Sequence, residues 1–217
     1  MEPDHTTTEP SPPGAGGDGL GLERLVFFSD AVLAVVITIT VLELKPPVGR
    51  TFAALGYLWP NVVSYAVSYL FIAIIWVNHH HLMRLVRGCT PRLIWLNFAH
   101  LFLVSLLPFA TEWAANTRLA PAAMVVYAAV FVGVDFAYLI FEREVLAQAD
   151  LSRVPPAARR QARRRALTTL AIFASAGPAA LFEPWLGLAL ICVALSFFVR
   201  PEVRAMQMAR RSPDRQA

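Results

Sequence analysis

The apolar residues of the chain fall in six long runs separated by short polar segments. Four of the runs approach the roughly 20 residues that a helix needs to cross the hydrocarbon core of a bilayer. The last two runs form one nearly continuous apolar stretch, which Glu183 and Pro184 divide. A charged residue followed by a helix breaker is typical of a tight turn at a membrane surface. The pattern predicts six transmembrane helices, over residues 25–44, 55–78, 93–113, 121–141, 166–182 and 185–199. Five spans are the alternative.

Composition supports a membrane protein with an all-α fold. Hydrophobic residues make up 57% of the chain and charged residues 16%, whereas a water-soluble domain of this size exposes more charge. The start of the chain lacks the basic residues of a secretory signal, so the first apolar run is expected to remain as a span. We predict a disordered cytoplasmic tail over residues 1–22, a six-helix transmembrane domain over 23–200 and a basic cytoplasmic tail over 201–217.

Lysine and arginine are divided unequally between the two sides of this domain. With both termini inside, the outer segments hold only Lys45, Arg50 and Arg118 of the 19 basic residues. Short loops rich in Lys and Arg stay in the cytoplasm, so the tally predicts a multi-pass protein of the cell membrane with both termini cytoplasmic. This topology explains the arginines between 159 and 165, so they need not form a nucleic-acid binding site. They also lie where they can contact anionic lipid.

Two aspartates interrupt the apolar spans. A carboxylate at the centre of a transmembrane helix costs roughly 2.5–3.5 kcal/mol on insertion scales and is a functional candidate by default. Asp30 lies near the cytoplasmic start of the first helix, where it needs a partner. Asp135 lies midway along the fourth helix, and nothing within one helical turn neutralises it. Asp135 therefore either faces another helix or is protonated.

Other polar groups are predicted at the depth of Asp30. Arg24 and Ser29 lie on the same helix, Asn97 lies near the cytoplasmic end of the third helix, and three histidines end the second. A hydrogen-bonded network of these groups with Asp30 and one histidine would satisfy buried polar atoms that otherwise cost about 1–3 kcal/mol each.

No metal or thiol site is predicted. Adjacent helical positions are about 100° apart, so His79, His80 and His81 cannot converge on one ion. Cys89 and Cys192 lie in different segments and indicate neither a disulfide framework nor a paired-thiol motif.

The first helix also carries an apolar stripe. Val35, Ile39 and Leu42 share one face, with Thr38 beside them, because their spacing of four and three residues follows the helical repeat. On a lone helix such a stripe is ordinarily a packing surface.

The first helix resembles the signature of the transmembrane protein 175 family of potassium channels. That signature reads R-x3-F-S-D, followed by an apolar helix with a threonine eight residues after the aspartate. The resemblance continues at the ends of the second and third predicted helices and beyond those helices is limited to hydropathy and length. The matching residues are Arg24, Phe28, Ser29, Asp30, Thr38, Leu42, Pro46, Trp76, Asn78, His79, His80, Trp95, Asn97 and the run from Leu106 to Phe109.

The resemblance implies a potassium-selective channel, not an enzyme, with six helices per subunit and a homotetramer around a pore lined by the first helix. It implies an apolar constriction at Val35, Ile39 and Leu42 and a contribution of Thr38 to selecting potassium over sodium. It implies no bound cofactor. The chain lacks the T-V-G-Y-G filter of conventional potassium channels, as the family does.

Two other functions are alternatives to a channel. A small secondary transporter or proton-coupled carrier would use Asp30, Asp135 and the histidines as a relay, but such carriers usually have matched broken helices at the midplane. A membrane-embedded enzyme would need a nucleophile or metal set at one depth, which the polar residues near Asp30 do not provide.

Overall fold

The computed structural model describes residues 17–47, 49–149 and 156–211, and the regular structure of these residues is helical. Residues 1–16 and 212–217, within the predicted tails, lie outside the described residues, as does the segment 150–155. The helices are α1 Gly17–Leu42, α2 Phe52–Gly56, α3 Trp59–Met83, α4 Pro91–Val104, α5 Leu107–Asn116, α6 Pro121–Gln148, α7 Pro156–Phe182 and α8 Pro184–Arg211.

The six predicted spans correspond to α1, α3, α4 together with α5, α6, α7 and α8. Within the described part of the chain, the first five of these are long and apolar enough to cross a membrane, and α8 adds a shorter apolar stretch, Pro184–Phe197. The all-α membrane fold is thereby confirmed. The last span is the weakest of the six because its apolar part is short for a bilayer crossing.

Several helix ends differ from the limits of the apolar runs. The second span begins at Trp59 and not at residue 55, because Pro60 favours the first helical turn and the residues before it form the separate helix α2. Helix α7 begins at Pro156, ten residues before the predicted run, so the arginines between 159 and 165 lie on the helix itself. Helices α1 and α8 likewise extend into segments assigned to the tails by sequence.

The third span is broken into α4 and α5. Pro108, in the first turn of α5, has no N–H to donate to the carbonyl of Val104, where α4 ends. Ser105 lies at the break and donates its hydroxyl to the carbonyl of Phe102 at 2.6 Å. The break interrupts the helical hydrogen bonding, and Pro91–Asn116 together still has the length and hydropathy of one membrane span.

The helices pack in two overlapping groups. Helix α1 lies mainly against α3, α4 and α5, whereas α7 lies mainly against α6 and α8. Between the groups, the ring of Phe71 stacks on that of Phe131 at 4.2 Å between centroids, and Phe173 packs edge-on against both. This aromatic cluster joins α3, α6 and α7 in the centre of the subunit.

The predicted hairpin at Glu183 and Pro184 is present. Helix α7 ends at Phe182 and α8 begins at Pro184. The two helices come so close that a Cβ on Gly187 would lie 2.6 Å from the Cβ of Ala180 and 2.9 Å from the carbonyl oxygen of Ala176. Only glycine at position 187 permits this approach without displacing backbone atoms.

Candidate functional site: the polar network and exposed face of the first helix

A chain of three hydrogen bonds joins the third, second and first spans near their predicted cytoplasmic ends. The amide of Asn97 donates from Nδ2 to Ser29 Oγ at 2.9 Å, and its Oδ1 lies 2.8 Å from Nε2 of His79. Ser29 in turn donates to the carbonyl of Leu25 at 2.8 Å. Because Asn97 uses its nitrogen for Ser29, its oxygen must accept from His79, which assigns the His79 proton to Nε2.

All three side chains of this chain are buried. A buried polar atom that loses its partner costs about 1–3 kcal/mol, so the three groups are held to one another in the apolar interior. The ring of His79 also stacks on Phe141 of α6 at 5.6 Å, which fixes its plane. The buried face of α1 is thereby fastened to α3 and α4 at one rotational setting.

Asp30 has a different partner from the one expected. Its Oδ1 accepts a hydrogen bond of 2.9 Å from the indole nitrogen of Trp76, and the Trp76 ring stacks on His80 at 5.6 Å. His80 is therefore connected to Asp30 indirectly, through the ring of Trp76. Trp76 was not predicted as the partner of Asp30. Its indole N–H is a hydrogen-bond donor, but the rest of the ring is apolar.

The remaining motif residues lie on the exposed side of α1. Arg24 is exposed and forms no ion pair with the residues that the structure describes, so it is not joined to the buried chain as predicted. Phe28 is also exposed and packs edge-on against Phe98 of α4, with 5.3 Å between ring centroids.

The apolar stripe lies on the same exposed side. Val35, Ile39 and Leu42 are 54%, 42% and 74% exposed in the single subunit. Thr38 is exposed between them and donates its hydroxyl hydrogen to the carbonyl of Val35 at 2.8 Å. The oxygen of Thr38 consequently keeps a lone pair that no group of its own helix uses.

A groove of about 570 Å³ separates this face of α1 from α5. Val35 and Ile39 form one wall, Pro108 and Phe109 form the other, and Glu43 and Glu112 lie among the lining residues. The ammonium of Lys45 lies 3.9 Å from a carboxylate oxygen of each of these two acids. An apolar surface thus leads to a charged cluster at the predicted outer end of α1.

Two further polar features were not predicted from sequence. The hydroxyl of Ser68 lies 2.7 Å from those of both Thr111 and Tyr127, which joins α3, α5 and α6. His100 is fully buried against the rings of Tyr138 and Phe141. Hydroxyl residues are common in transmembrane helices, so Ser, Thr and Tyr mark a functional position in an apolar run less clearly than charged residues do.

Asp135 faces another helix, which is one of the two alternatives left open by the sequence. It is buried between α6 and α7 and accepts a hydrogen bond of 3.3 Å from Thr169. The Asp135 carboxyl belongs to the contact between these helices and lies apart from the exposed face of α1.

No group of three or more His, Cys, Asp or Glu side chains able to hold a metal ion occurs within the described ranges. Cys89 and Cys192 form no disulfide in the part of the chain that the structure describes.

The fold and these contacts define a multi-pass helical membrane protein whose first helix is anchored by polar bonds on one face and exposed on the other. Residues 24–108 match the family described as endosomal/lysosomal potassium channel TMEM175. The match begins at Arg24 and contains Ser29, His79 and Asn97. Over these residues, which are fewer than half of its length, the chain is similar to the TMEM175 family.

Individual relatives show the same similarity. A potassium channel of Chryseobacterium is 39% identical over 123 residues, which are 57% of this chain and 64% of the relative. A potassium channel of Chamaesiphon minutus is 33% identical over 124 residues, covering 53% and 61% of the two chains. TMEM175 of Mus musculus, described as an endosomal/lysosomal proton channel, is 31% identical over 105 residues, covering 43% and 21%. The matched segments thus span less than two thirds of these relatives.

The fold is similar to a solved structure over a longer part of the chain. The crystal structure of a lysosomal potassium-selective channel TMEM175 homolog from Chamaesiphon minutus superposes with a TM-score of 0.68 at 25% identity. The superposition covers 82% of this chain and 97% of the other. The similarity therefore includes the later helices, where sequence motifs are weak.

Proposed function

We propose that this protein is a potassium-selective cation channel of the cell membrane, with a pore lined by α1 from four copies of the subunit. The observation that carries the proposal is the two-sided character of α1. One face is fastened to α3 and α4 by buried hydrogen bonds, and the other exposes a continuous apolar stripe. Bacterial relatives described as potassium channels support the choice of ion.

In this proposal Val35, Ile39 and Leu42 form rings of apolar side chains around the axis. Such rings produce a constriction from which water withdraws, and they oppose the passage of a hydrated ion. The stripe is exposed in the single subunit, as a pore surface must be, whereas a helix that only packs within its own subunit would bury it.

Thr38 contributes to selectivity in the same proposal. Four hydroxyl oxygens at one level can replace part of the hydration shell of a cation. The Thr38 hydrogen is bonded to the Val35 carbonyl, so the oxygen is turned to present a lone pair and not a proton. Its position between the apolar rings places this layer where the ion is least hydrated.

The buried chain from His79 through Asn97 to Ser29 supports the pore from behind. Ser29 lies about one and a half turns before Val35, so its hydrogen bonds set the rotation of the helix that carries the stripe. Arg24 and Phe28 precede that anchor along α1, and Asp30 directly follows it. We assign them a structural and not an ion-binding role.

The topology in this proposal has both termini in the cytoplasm, because all but three of the basic residues then lie inside. Reporter fusions at residues 5 and 215 should both be cytoplasmic. Reporters on opposite faces would contradict the six-span arrangement, which depends on α8 crossing despite its short apolar part.

The decisive experiment measures the reversal potential of the purified protein in proteoliposomes with potassium on one side and sodium on the other. A channel of this kind gives a potential close to that of potassium and resolvable single-channel steps. A carrier that uses Asp30, Asp135 and the histidines turns over too slowly for such steps. A reversal potential that follows a proton gradient instead would indicate that this chain conducts protons, the ion in the description of the mammalian relatives.

A further inference from the structure

Five arginines lie on the first three turns of α7, and the structure divides them into two groups. Arg159 donates to the carbonyl of Ala149 at 3.0 Å, and Arg165 acts electrostatically on the buried carboxylates of Asp135 and Glu142. Arg160, Arg163 and Arg164 are exposed and form no side-chain hydrogen bond or ion pair within the described ranges. The protein itself therefore uses two of the five guanidinium groups.

The three exposed arginines share one face of α7. At 100° per residue they lie within about 100° of arc. The same arc, continued along the helix, contains a row of residues that are all exposed: Leu167, Ala171, Ala174, Pro178 and Leu181. The buried residues Thr169, Phe173, Ala176 and Ala180 lie on the opposite face against α6 and α8.

Helix α7 packs mainly against α6 and α8 and not against α1, the helix proposed to line the pore. In this proposal its exposed apolar row therefore faces lipid chains. The arginines continue this row at its cytoplasmic end, where the lipid headgroups lie. Guanidinium groups bind phosphate oxygens in pairs and with defined geometry, unlike a compact ammonium. One surface of α7 therefore offers a place for acyl chains and, next to it, three donors for a phosphate.

We propose that Arg160, Arg163 and Arg164 form a binding site for the headgroup of an anionic phospholipid, whose acyl chains lie along the exposed apolar row of α7. The proposal concerns lipid binding to the outer surface of the subunit and does not depend on which ion the protein conducts. Its lipid is defined by chemistry: a negatively charged phosphate ester bearing two acyl chains.

The expected magnitude follows from the attraction of basic residues to an anionic membrane surface. Each such residue contributes enough to change the affinity about fivefold, so removal of all three charges should weaken binding on the order of 100-fold. High salt should weaken binding to the native protein as well, because exposed charges are screened.

The test titrates phosphatidylglycerol or phosphatidylcholine into the purified protein in a non-ionic detergent and follows the melting temperature. A ligand that binds only the folded state raises that temperature in proportion to its occupancy. We expect phosphatidylglycerol to act at lower concentrations than phosphatidylcholine. Arg160→Gln combined with Arg163→Gln and Arg164→Gln should abolish this difference, whereas Arg50→Gln, which removes an exposed charge on the outer side, should retain it.

Native mass spectrometry of the same samples counts retained lipid directly, so a change in the stability of the triple variant does not obscure the result. If the triple variant does not fold, Arg160→Gln and Arg164→Gln alone should each weaken phosphatidylglycerol binding about fivefold. Equal effects of the two lipids, or unchanged affinity in the arginine variants, would overturn the proposal. Full competition by glycerol 3-phosphate would overturn the requirement for a lipid.

Discussion

Asn97 of α4 donates a 2.9 Å hydrogen bond to Ser29 of α1, and both side chains are buried. This bond is the central link between the third span and the helix proposed to line the pore. Asn97 bonds Ser29 and His79 at once, so the amide bridges α1 to α3 as well. A single side chain thus hydrogen-bonds residues of two other spans.

Asn97→Ala should reduce the free energy of unfolding by about 1–3 kcal/mol, because it leaves Ser29 and His79 buried without the partner they share. Thermal or denaturant unfolding of the purified protein measures the change. Ser105→Ala is the matched control, since it removes an exposed hydroxyl bonded only to its own helix. Equal stability of the two variants would mean that water replaces the amide and that the link is not a structural anchor.

Asp30 and Trp76 should depend on each other. Asp30→Ala leaves the Trp76 indole without its acceptor and should lower the yield of folded, assembled protein. Trp76→Phe keeps most of the ring but removes the donor, so it should produce a defect of the same kind. The double variant should be less harmful than the sum of the two, because each single change breaks the same bond.

Size-exclusion chromatography and unfolding of the four proteins in this cycle measure the coupling. Normal assembly of Asp30→Ala, with altered ion selectivity alone, would show that the carboxylate serves the pore and not the structure.

The parts that were predictable from the sequence are those with local signals. Apolar run length predicted the spans, and Glu183 with Pro184 predicted the hairpin, because both depend on neighbouring residues alone. The contact between Ser29, His79 and Asn97 was predicted because antiparallel helices place their cytoplasmic ends at one depth. Depth does not specify rotation, however, and Arg24 is exposed although it lies close to that level.

The contacts that were missed depend on the relative register of several helices. Ser68 contacts Thr111 and Tyr127 only because α3, α5 and α6 pack together, and no spacing along one helix encodes these contacts. The break between α4 and α5 had a local signal in Pro108. Its position inside a long apolar run made the span look continuous, since hydropathy does not register a missing hydrogen-bond donor.

The apolar stripe can be tested by making it polar. If Ile39 and Leu42 face a pore, Ile39→Asn or Leu42→Asn should wet the constriction and raise the potassium current per assembled protein. If they pack against another helix, the buried amide should lower expression without raising current. Flux or current normalised to assembled protein separates the two outcomes.

Leu181→Asn and Val193→Asn are matched controls for these substitutions. Leu181 is 62% exposed on α7 and Val193 is 46% exposed on α8, comparable with Leu42 and Ile39, but neither lies on α1. Their currents should remain at the native level. A similar increase in the controls would indicate a general effect of polar residues in the membrane and would remove the support for a gate on α1.

Thr38→Ala should preserve the current and bring the potassium-to-sodium permeability ratio closer to one. The change removes the hydroxyl layer without narrowing the passage, so cations still cross but lose the oxygens that replace their hydration shell. Thr38→Ser, which retains the hydroxyl, should preserve selectivity. Thr40→Ala is the control on the opposite face, because Thr40 is buried and bonds the Val36 carbonyl at 2.7 Å much as Thr38 bonds that of Val35. Reversal potentials under potassium and sodium gradients compare all four proteins, and a shift in Thr40→Ala with none in Thr38→Ala would assign selectivity elsewhere.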